Sequence, residues 1–222
     1  MKLINNRYNF EIDFTNNQNH LLIIENSKEY LKVLQELYYE IEKGQESDFV
    51  LSDNSETLSI CKNVVFLHNY IDLEINNKKI LTEVNALILS KLKNMDIVEE
   101  ISTINKCIFD INDKVLDDLD FEVSYNEDFT IDSLIKYCAY RICEENTTIE
   151  KIYSYVKIFS QLKKSKIVIF SGLMQILSMQ ELESLIKQIN YIGLNCILIE
   201  PYEKYKLGNV SRMIVDEDLC EI

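Results

Sequence analysis

The fold of this chain is decided by KIVIF at residues 166–170 and CILIEP at residues 196–201. Both runs are short, rich in β-branched residues and without polar alternation, which is typical of strands buried on both faces of a parallel sheet. Between them, Ser178-x-x-Glu181 is the sequence signature of a capping box, and the apolar stripe behind it stops at Gly193. The order of strand, helix and strand therefore predicts a βαβ unit.

Similar elements are predicted toward the beginning of the chain. The alternating run at residues 8–14 predicts a strand at or near a sheet edge. Residues 20–25 predict a buried strand, and Ser27 is expected to cap the helix that follows it. Three further strands are predicted at residues 49–51, 64–67 and 71–75. The fold class is therefore α/β, with a mostly parallel sheet.

The middle of the chain changes character. Residues 80–88 predict one helix, and Asp96-x-x-Glu99 predicts a capping box that opens a longer one. The longer helix carries apolar residues at alternating spacings of four and three, a heptad seam formed by Ile97, Ile101, Ile104, Ile108, Ile111 and Val115. Such a seam must pack on a helix of the same subunit or of another copy, and we expect another copy to contribute.

The domain organisation follows from this order. Residues 121–125 predict a strand, and helices are predicted at residues 131–138 and after a capping box at Thr147-x-x-Glu150. We expect an α/β head and an inserted helical leg. Their predicted ranges are 1–76 and 119–222 for the head and 77–118 for the leg, with the helices at 130–163 as further candidates for the leg.

Composition narrows the classes of function. With 222 residues, the chain can bury the core of one domain, or of one domain with an insertion. The sequence contains neither a signal-peptide pattern nor an apolar run of roughly 18 residues, so we expect a cytoplasmic protein that has no contact with a membrane and whose six cysteines are reduced. A net charge of -14 argues against a polyanionic partner unless lysines line a separate groove.

The sequence lacks the common catalytic motifs. A nucleotide-binding head would need a glycine-rich GxxxxGK[ST] loop after its first buried strand, but residues 25–30 read ENSKEY. Only His20 and His68 could serve as a histidine base, and neither lies in a recognisable motif. We therefore expect that the protein is not an enzyme.

An acidic segment at residues 110–132 is the one polar constellation. It contains Asp110, Asp113, Asp117, Asp118, Asp120, Glu122, Glu127, Asp128 and Asp132. Such oxygen ligands suit calcium, although a solvated acidic helix face explains the same pattern. Paired carboxylates also occur in two-metal nucleases, so a metal-dependent phosphoesterase stays open as an alternative.

Several stretches together resemble a known family. They are KKSKIVIF at 163–170, MQELESL at 179–185, LIEPYE at 198–203, DED at 216–218, LDFE at 119–122, NE at 126–127, LIK at 134–136 and IDLEIN at 71–76. Together with the length of the chain and the order of its elements, these stretches resemble the spacer-acquisition protein of type II-A CRISPR systems.

The resemblance implies a non-catalytic protein with a P-loop-like α/β head that lacks a functional Walker motif and carries a helical leg. Proteins of this kind form a homotetrameric ring that calcium stabilises. The ring encircles the ends of double-stranded DNA independently of sequence during spacer acquisition, and its partners are the CRISPR integrase complex and the RNA-guided effector nuclease. An acidic exterior around a basic channel would reconcile DNA binding with the net charge.

The resemblance also implies site residues. Asp120, Glu122 and Glu127 match calcium ligands, and Asp128 and Asp132 are added because the loop is one residue longer here. Lys136, Lys163 and Lys164 match basic positions that contact DNA phosphates. For Lys163 and Lys164, the favourable interaction of cations with a helix C-terminus remains an alternative explanation. A protein-docking scaffold that uses the heptad seam also remains an alternative function.

Overall fold

The computed structural model describes residues 1–8, 10–126 and 128–219. In this part of the chain, the strands are β1 (Lys2–Asn5), β2 (Phe10–Asp13), β3 (Asn19–Ile24), β4 (Phe49–Asp53), β5 (Glu56–Leu58), β6 (Val64–Leu67), β7 (Ile167–Ser171), β8 (Asn195–Glu200) and β9 (Ser211–Val215). The helices are α1 (Ser27–Lys43), α2 (Ile60–Asn63), α3 (Lys78–Lys93), α4 (Val98–Leu116), α5 (Ile131–Cys138), α6 (Thr148–Lys163) and α7 (Met179–Tyr191), and a 3-10 turn covers Leu173–Gln175.

The chain divides into two compact units. The sheet unit comprises Met1–Leu73 and Glu144–Ile222, and the helical unit comprises Glu74–Cys143. No helix in the described ranges combines the length and apolarity that a bilayer crossing requires.

The sheet unit is built on five parallel strands in the order β6-β7-β8-β3-β9. All five residues of β7 are buried, as are the last five residues of β8. Since the side chains of a strand alternate between the two faces of the sheet, a strand that is buried throughout shows that both faces are covered. Leu21 and Ile23 join the core on one face, whereas Leu22 and Ile24 join the core on the other. The prediction of an α/β fold with a parallel sheet is confirmed.

Helix α7 forms as the sequence pattern requires. Ser178 and Glu181 form both halves of the capping box, and four residues of the apolar stripe are buried: Leu182, Leu185, Ile186 and Ile189. Burying an aliphatic side chain of this size contributes about 1.5–3 kcal/mol. Gly193 then takes a positive φ of 80°, which glycine adopts at little cost, so the chain can turn toward β8.

The other face of the parallel sheet is covered by α1 and a second sheet. Val33, Leu37 and Ile41 of α1 are buried in the same cluster as residues of the antiparallel sheet β2-β1-β4-β5. Strand β2 lies at the edge of that sheet, as the alternating sequence predicted.

The helical unit buries much less of its apolar surface. Helix α4 has no buried residue, and neither has α5. In α3, only Ile80 is buried. The heptad seam of α4 therefore remains partly exposed in a single chain, with Ile111 63% exposed and Val115 58% exposed.

Some local predictions were wrong. Helix α1 is capped by Asn26 rather than Ser27, and the predicted capping box at Asp96 is absent because α4 begins after Ile97 without a side-chain cap. Residues 71–75 and 121–125 are not strands. Although both segments alternate, neither pairs with a strand in the described part of the chain, and pairing is what stabilises a β-conformation.

Three strands were not predicted from the sequence. Strands β1 and β5 are only four and three residues long, which leaves little sequence pattern to read. Strand β9 begins with two exposed residues and lies at the edge of the parallel sheet, so its sequence lacks the continuous apolar run of β7.

Candidate functional site

Lys163 and Lys164 lie at the C-terminus of α6, in the sheet unit. The helix begins with the predicted capping box between Thr147 and Glu150, which fixes where its first turn starts. The ammonium group of Lys163 lies over the Phe159 ring, 5.5 Å from its centroid. Lys164 is the C-cap, with φ 54°, and its backbone N–H donates to the Ser160 carbonyl. Both residues therefore belong to the C-terminal end of the helix, which is the negative end of its dipole.

These lysines are available to an external anion. Neither one forms an ion pair with a described residue, whereas the nearby Lys166 contacts the Asp53 carboxylate at 2.9 Å. Lys166 is thus neutralised by a carboxylate, whereas Lys163 and Lys164 have no carboxylate partner among the described residues. The helix-dipole explanation and phosphate binding are compatible, since both need a cation at this position.

Lys136 belongs to the helical unit, where it is exposed near the C-terminus of α5. This helix is capped by Thr130, whose side-chain oxygen accepts the Ser133 backbone N–H at 3.2 Å. No carboxylate in the described ranges pairs with Lys136, so its charge is also free for an anion.

The predicted calcium ligands that the structure describes lie in an irregular loop before α5 or in the first turn of that helix. Asp120 and Glu122 line an open cavity of about 830 Å³ together with Leu116, Leu119, Phe121, Val123 and Ser124. Asp128 follows in the same loop and Asp132 lies in the first turn of α5. Glu127 lies outside the described residues.

Asn105 of α4 anchors the end of this loop. Its side-chain carbonyl accepts the Phe129 backbone N–H at 2.6 Å, and its amide donates to the Phe129 carbonyl at 3.2 Å. Asn126 accepts the Asp128 backbone N–H at 3.3 Å. These contacts hold the end of the loop to α4 but do not bring the described carboxylates together.

The chemistry of these ligands suits calcium, but the described ones do not by themselves form a site in this structure. Calcium takes six to eight oxygen ligands. Within the described ranges, no group of three or more acidic, histidine or cysteine side chains is placed to hold a metal ion. We therefore derive no functional step from calcium.

The carboxyl edge of the parallel sheet contains a buried carboxyl group that sequence reasoning missed. Glu200 ends β8 and is fully buried, and its Oε1 accepts the Met174 backbone N–H at 2.9 Å. Its Oε2 has no hydrogen-bond partner among the described residues. Burial raises the pKa of Glu200 to about 7, although the Met174 N–H acts in the opposite direction.

Two tyrosines close this edge. The Tyr70 hydroxyl is hydrogen-bonded to the carbonyls of Leu67 and Ser171, at 3.0 Å and 3.1 Å, which ties the ends of β6 and β7 together. Burial raises the pKa of Tyr70 well above its ordinary value and raises the pKa of Tyr30 to about 12, in both cases with a contribution from Glu200. Both hydroxyls therefore stay protonated at neutral pH.

The junction of β3 and α1 is where a phosphate-binding loop would lie. The Asn26 side chain accepts the backbone N–H groups of Lys28 and Glu29, at 3.1 Å and 3.2 Å. The Glu29 carboxylate is held there by Arg7 at 3.1 Å. The amides that would surround a phosphate are thus used by the protein itself, beside a negative charge.

Comparison with known families identifies the chain. The sequence model of the CRISPR-associated protein family Cas_Csn2 matches residues 38–219, more than four-fifths of the chain. The match includes α3 to α7 and four of the five parallel strands. It thus covers the acidic residues at 120–132 and the three lysines described above. The chain belongs to the Csn2 family of CRISPR-associated proteins.

Proposed function

We propose that this protein binds the ends of double-stranded DNA as a non-catalytic homotetrameric ring in the cytoplasm during CRISPR spacer acquisition. The observation that carries the proposal is the family match over residues 38–219. The CRISPR integrase complex and the RNA-guided effector nuclease would be its partners.

The exposed seam of α4 supports assembly. Of its residues, Ile111 is 63% exposed and Val115 is 58% exposed. These two side chains are one helical turn apart and lie side by side on the helix surface, and contiguous exposed apolar surface is a mark of interaction sites. A second copy of the helical unit would cover it, as the heptad spacing predicted.

Three unpaired lysines support sequence-independent DNA binding. Contacts between lysine and phosphate give affinity without reading the bases, and each contact contributes to the salt dependence of binding. Lys136, Lys163 and Lys164 have no carboxylate partner in the described ranges, so they can serve this purpose despite the net charge of -14. In an assembled ring, they would line the channel.

A head without nucleotide chemistry is also part of the proposal. We infer that the parallel sheet is P-loop-like in architecture and lacks a functional Walker motif. The β3–α1 junction supports this, because Asn26 occupies the amides of the first helical turn and no glycine is present at residues 25–30. Calcium binding by the carboxylates at residues 120–132 is a separate proposal.

A gel-shift experiment tests the central proposal. Linear DNA and closed circular DNA of the same sequence are titrated with the protein, with and without calcium and over a range of salt concentrations. Linear DNA should bind with a strong salt dependence, and circular DNA should not. Equal binding of both forms would refute the encirclement of free ends.

Matched variants test the residues. Lys163→Gln combined with Lys164→Asn should reduce the slope of log affinity against log salt by about 0.9 for each lost phosphate contact. Asparagine is chosen at position 164 because it tolerates a positive φ. Lys187→Gln removes an exposed charge from α7 and should leave the slope unchanged.

Assembly is tested separately by light scattering. Ile111→Lys places a charge in the seam of α4 and should reduce the mass from a tetramer to a smaller species. Ser102→Lys, an exposed position of the same helix outside the seam, is the control. A tetramer that tolerates Ile111→Lys would show that this seam is not an interface.

DNA cleavage with magnesium or manganese that Asp120→Ala abolishes would instead favour the phosphoesterase.

A further inference from the structure

The sheet unit contains an aromatic groove between α1 and the carboxyl ends of β6 and β7. Its main cavity has a volume of about 430 Å³ and is lined by Tyr30, Leu31, Leu34, Gln35, Tyr38, Tyr39, His68 and Ser171. A second cavity of about 250 Å³ shares Tyr38 and His68 with the first and adds Glu42, Asp72 and Tyr155. We call the two cavities together the aromatic groove. Its position matches the edge at which open α/β sheets bind ligands.

The rings of the groove hold each other in place. Tyr38 stacks on His68 with 5.4 Å between ring centroids and an angle of 27° between the planes. Tyr39 meets Tyr38 edge to face at 5.6 Å, and Phe66 meets His68 edge to face at 5.2 Å. This arrangement leaves π-faces available beside the cavity without a large loss of entropy on binding, because the rings are already ordered.

The charge of the groove has one sign. Glu42 and Asp72 are exposed, and neither forms an ion pair or a hydrogen bond with the described residues. Neither cavity has a lysine or an arginine among its lining residues. Burial lowers the pKa of His68 while Glu42 acts in the opposite direction, so the imidazole is neutral at pH 7. The groove therefore repels phosphate groups and attracts cations.

We propose that the aromatic groove binds an arginine side chain of a basic segment in a protein partner. Aromatic faces attract cations, and guanidinium combines stacking with bidentate hydrogen bonds to carboxylates such as Glu42 and Asp72. Leu31 is 55% exposed and Tyr39 is 45% exposed, so they offer apolar contacts to the residues beside the arginine. The net charge of -14 steers a basic segment toward the protein.

The proposal is independent of DNA binding, since it uses none of the lysines assigned to phosphate contacts. A fluorescein-labelled peptide, acetyl-Gly-Arg-Leu-Arg-Gly-amide, is titrated with the full protein and followed by fluorescence anisotropy. The comparison peptide carries citrulline at both arginines, which keeps the shape but removes the charge and replaces one NH2 donor group with a carbonyl acceptor. The arginine peptide should bind saturably and the citrulline peptide should not.

Variants locate the binding to the groove. Glu42→Gln combined with Asp72→Asn should raise the Kd by about two- to thirtyfold, the combined effect of losing two exposed ion pairs. Tyr39→Leu keeps apolar area but removes a π-face, and it should also weaken binding. Glu46→Gln removes an equally exposed carboxylate outside the groove and should not change the Kd.

Each alternative occupant gives a different result. Equal binding of both peptides, equal effects of Glu46→Gln and the double variant, or no binding at roughly 0.5 mM protein would overturn the proposal. A lower mass of Tyr39→Leu in light scattering would show that a second copy fills the groove, and displacement of the peptide by linear DNA would assign it to DNA. Either outcome also rejects the proposal, while leaving DNA binding through the three lysines testable by itself.

Discussion

Replacing Glu200 with glutamine tests whether the sheet unit holds a proton at the end of β8. Burial raises the pKa of this carboxyl group from an ordinary value of 4.5 to about 7. Between these values, the folded protein binds more protons than the unfolded chain, so the free energy of unfolding falls as pH rises. The stability from this group is complete below pH 4.5 and is lost as pH increases through 7.

The size of the effect follows from the two pKa values. One pKa unit corresponds to about 1.4 kcal/mol, and integration from pH 5 to pH 8 gives a loss of about 2.5 kcal/mol. Glu200→Gln cannot titrate, and its amide oxygen can still accept the Met174 N–H. The free energy of unfolding of the variant, relative to wild type, should therefore rise by about 2.5 kcal/mol across this interval.

The assay is urea denaturation at several pH values, followed by far-ultraviolet circular dichroism. All proteins are measured at one concentration, because assembly adds to the apparent stability. Other groups with shifted pKa values, such as Glu36, Glu40 and His20, are present in both proteins and cancel in the difference. Glu46→Gln is the control for loss of an exposed carboxylate. A difference between variant and wild type that stays constant from pH 5 to pH 8 would refute the argument.

Three other substitutions test separate parts of the structure. Tyr70→Phe removes the hydroxyl that ties β6 to β7 and should cost about 1 kcal/mol or more of unfolding free energy, whereas no change would show that these hydrogen bonds are not needed. Ser178→Ala removes the cap of α7 and should cost about 1 kcal/mol, with thermal denaturation as the measurement. Asp120→Asn should weaken calcium binding in isothermal titration calorimetry at least tenfold, and an unchanged affinity would remove Asp120 from the proposed ligands.

The sequence predicted the secondary structure correctly where the local pattern and the tertiary environment agree. The apolar runs of β7 and β8 and the capping boxes at Thr147 and Ser178 form as predicted, because each depends on residues close together in the chain. Residues 121–125 show the opposite case. Their alternation is as regular as that of β2, yet β2 pairs with β1 and residues 121–125 pair with no described strand. Strand pairing is a long-range property that one segment cannot reveal.

Glu200 could not be found from the sequence for the same reason. A carboxylate directly before Pro201 has the pattern of a solvated strand end, and such residues are mostly exposed. It is buried because the turn at Leu173–Gln175 and Tyr70, both distant in sequence, close over the end of β8. The aromatic groove also combines residues from α1, the end of β6 and α6, so no single stretch predicted it.

The two units bury their apolar residues to different extents. In the sheet unit, the apolar runs that the sequence predicted to be buried are buried within one chain, as every residue of β7 and the apolar stripe of α7 show. In the helical unit, a pattern of similar strength leaves α4 without one buried residue. Since burial of apolar surface is the main favourable term in folding and association, the exposed apolar residues of α4 support the proposed assembly. Substitutions in the core of the sheet unit should therefore change the stability of the chain, whereas substitutions in the seam of α4 should first change the oligomeric mass.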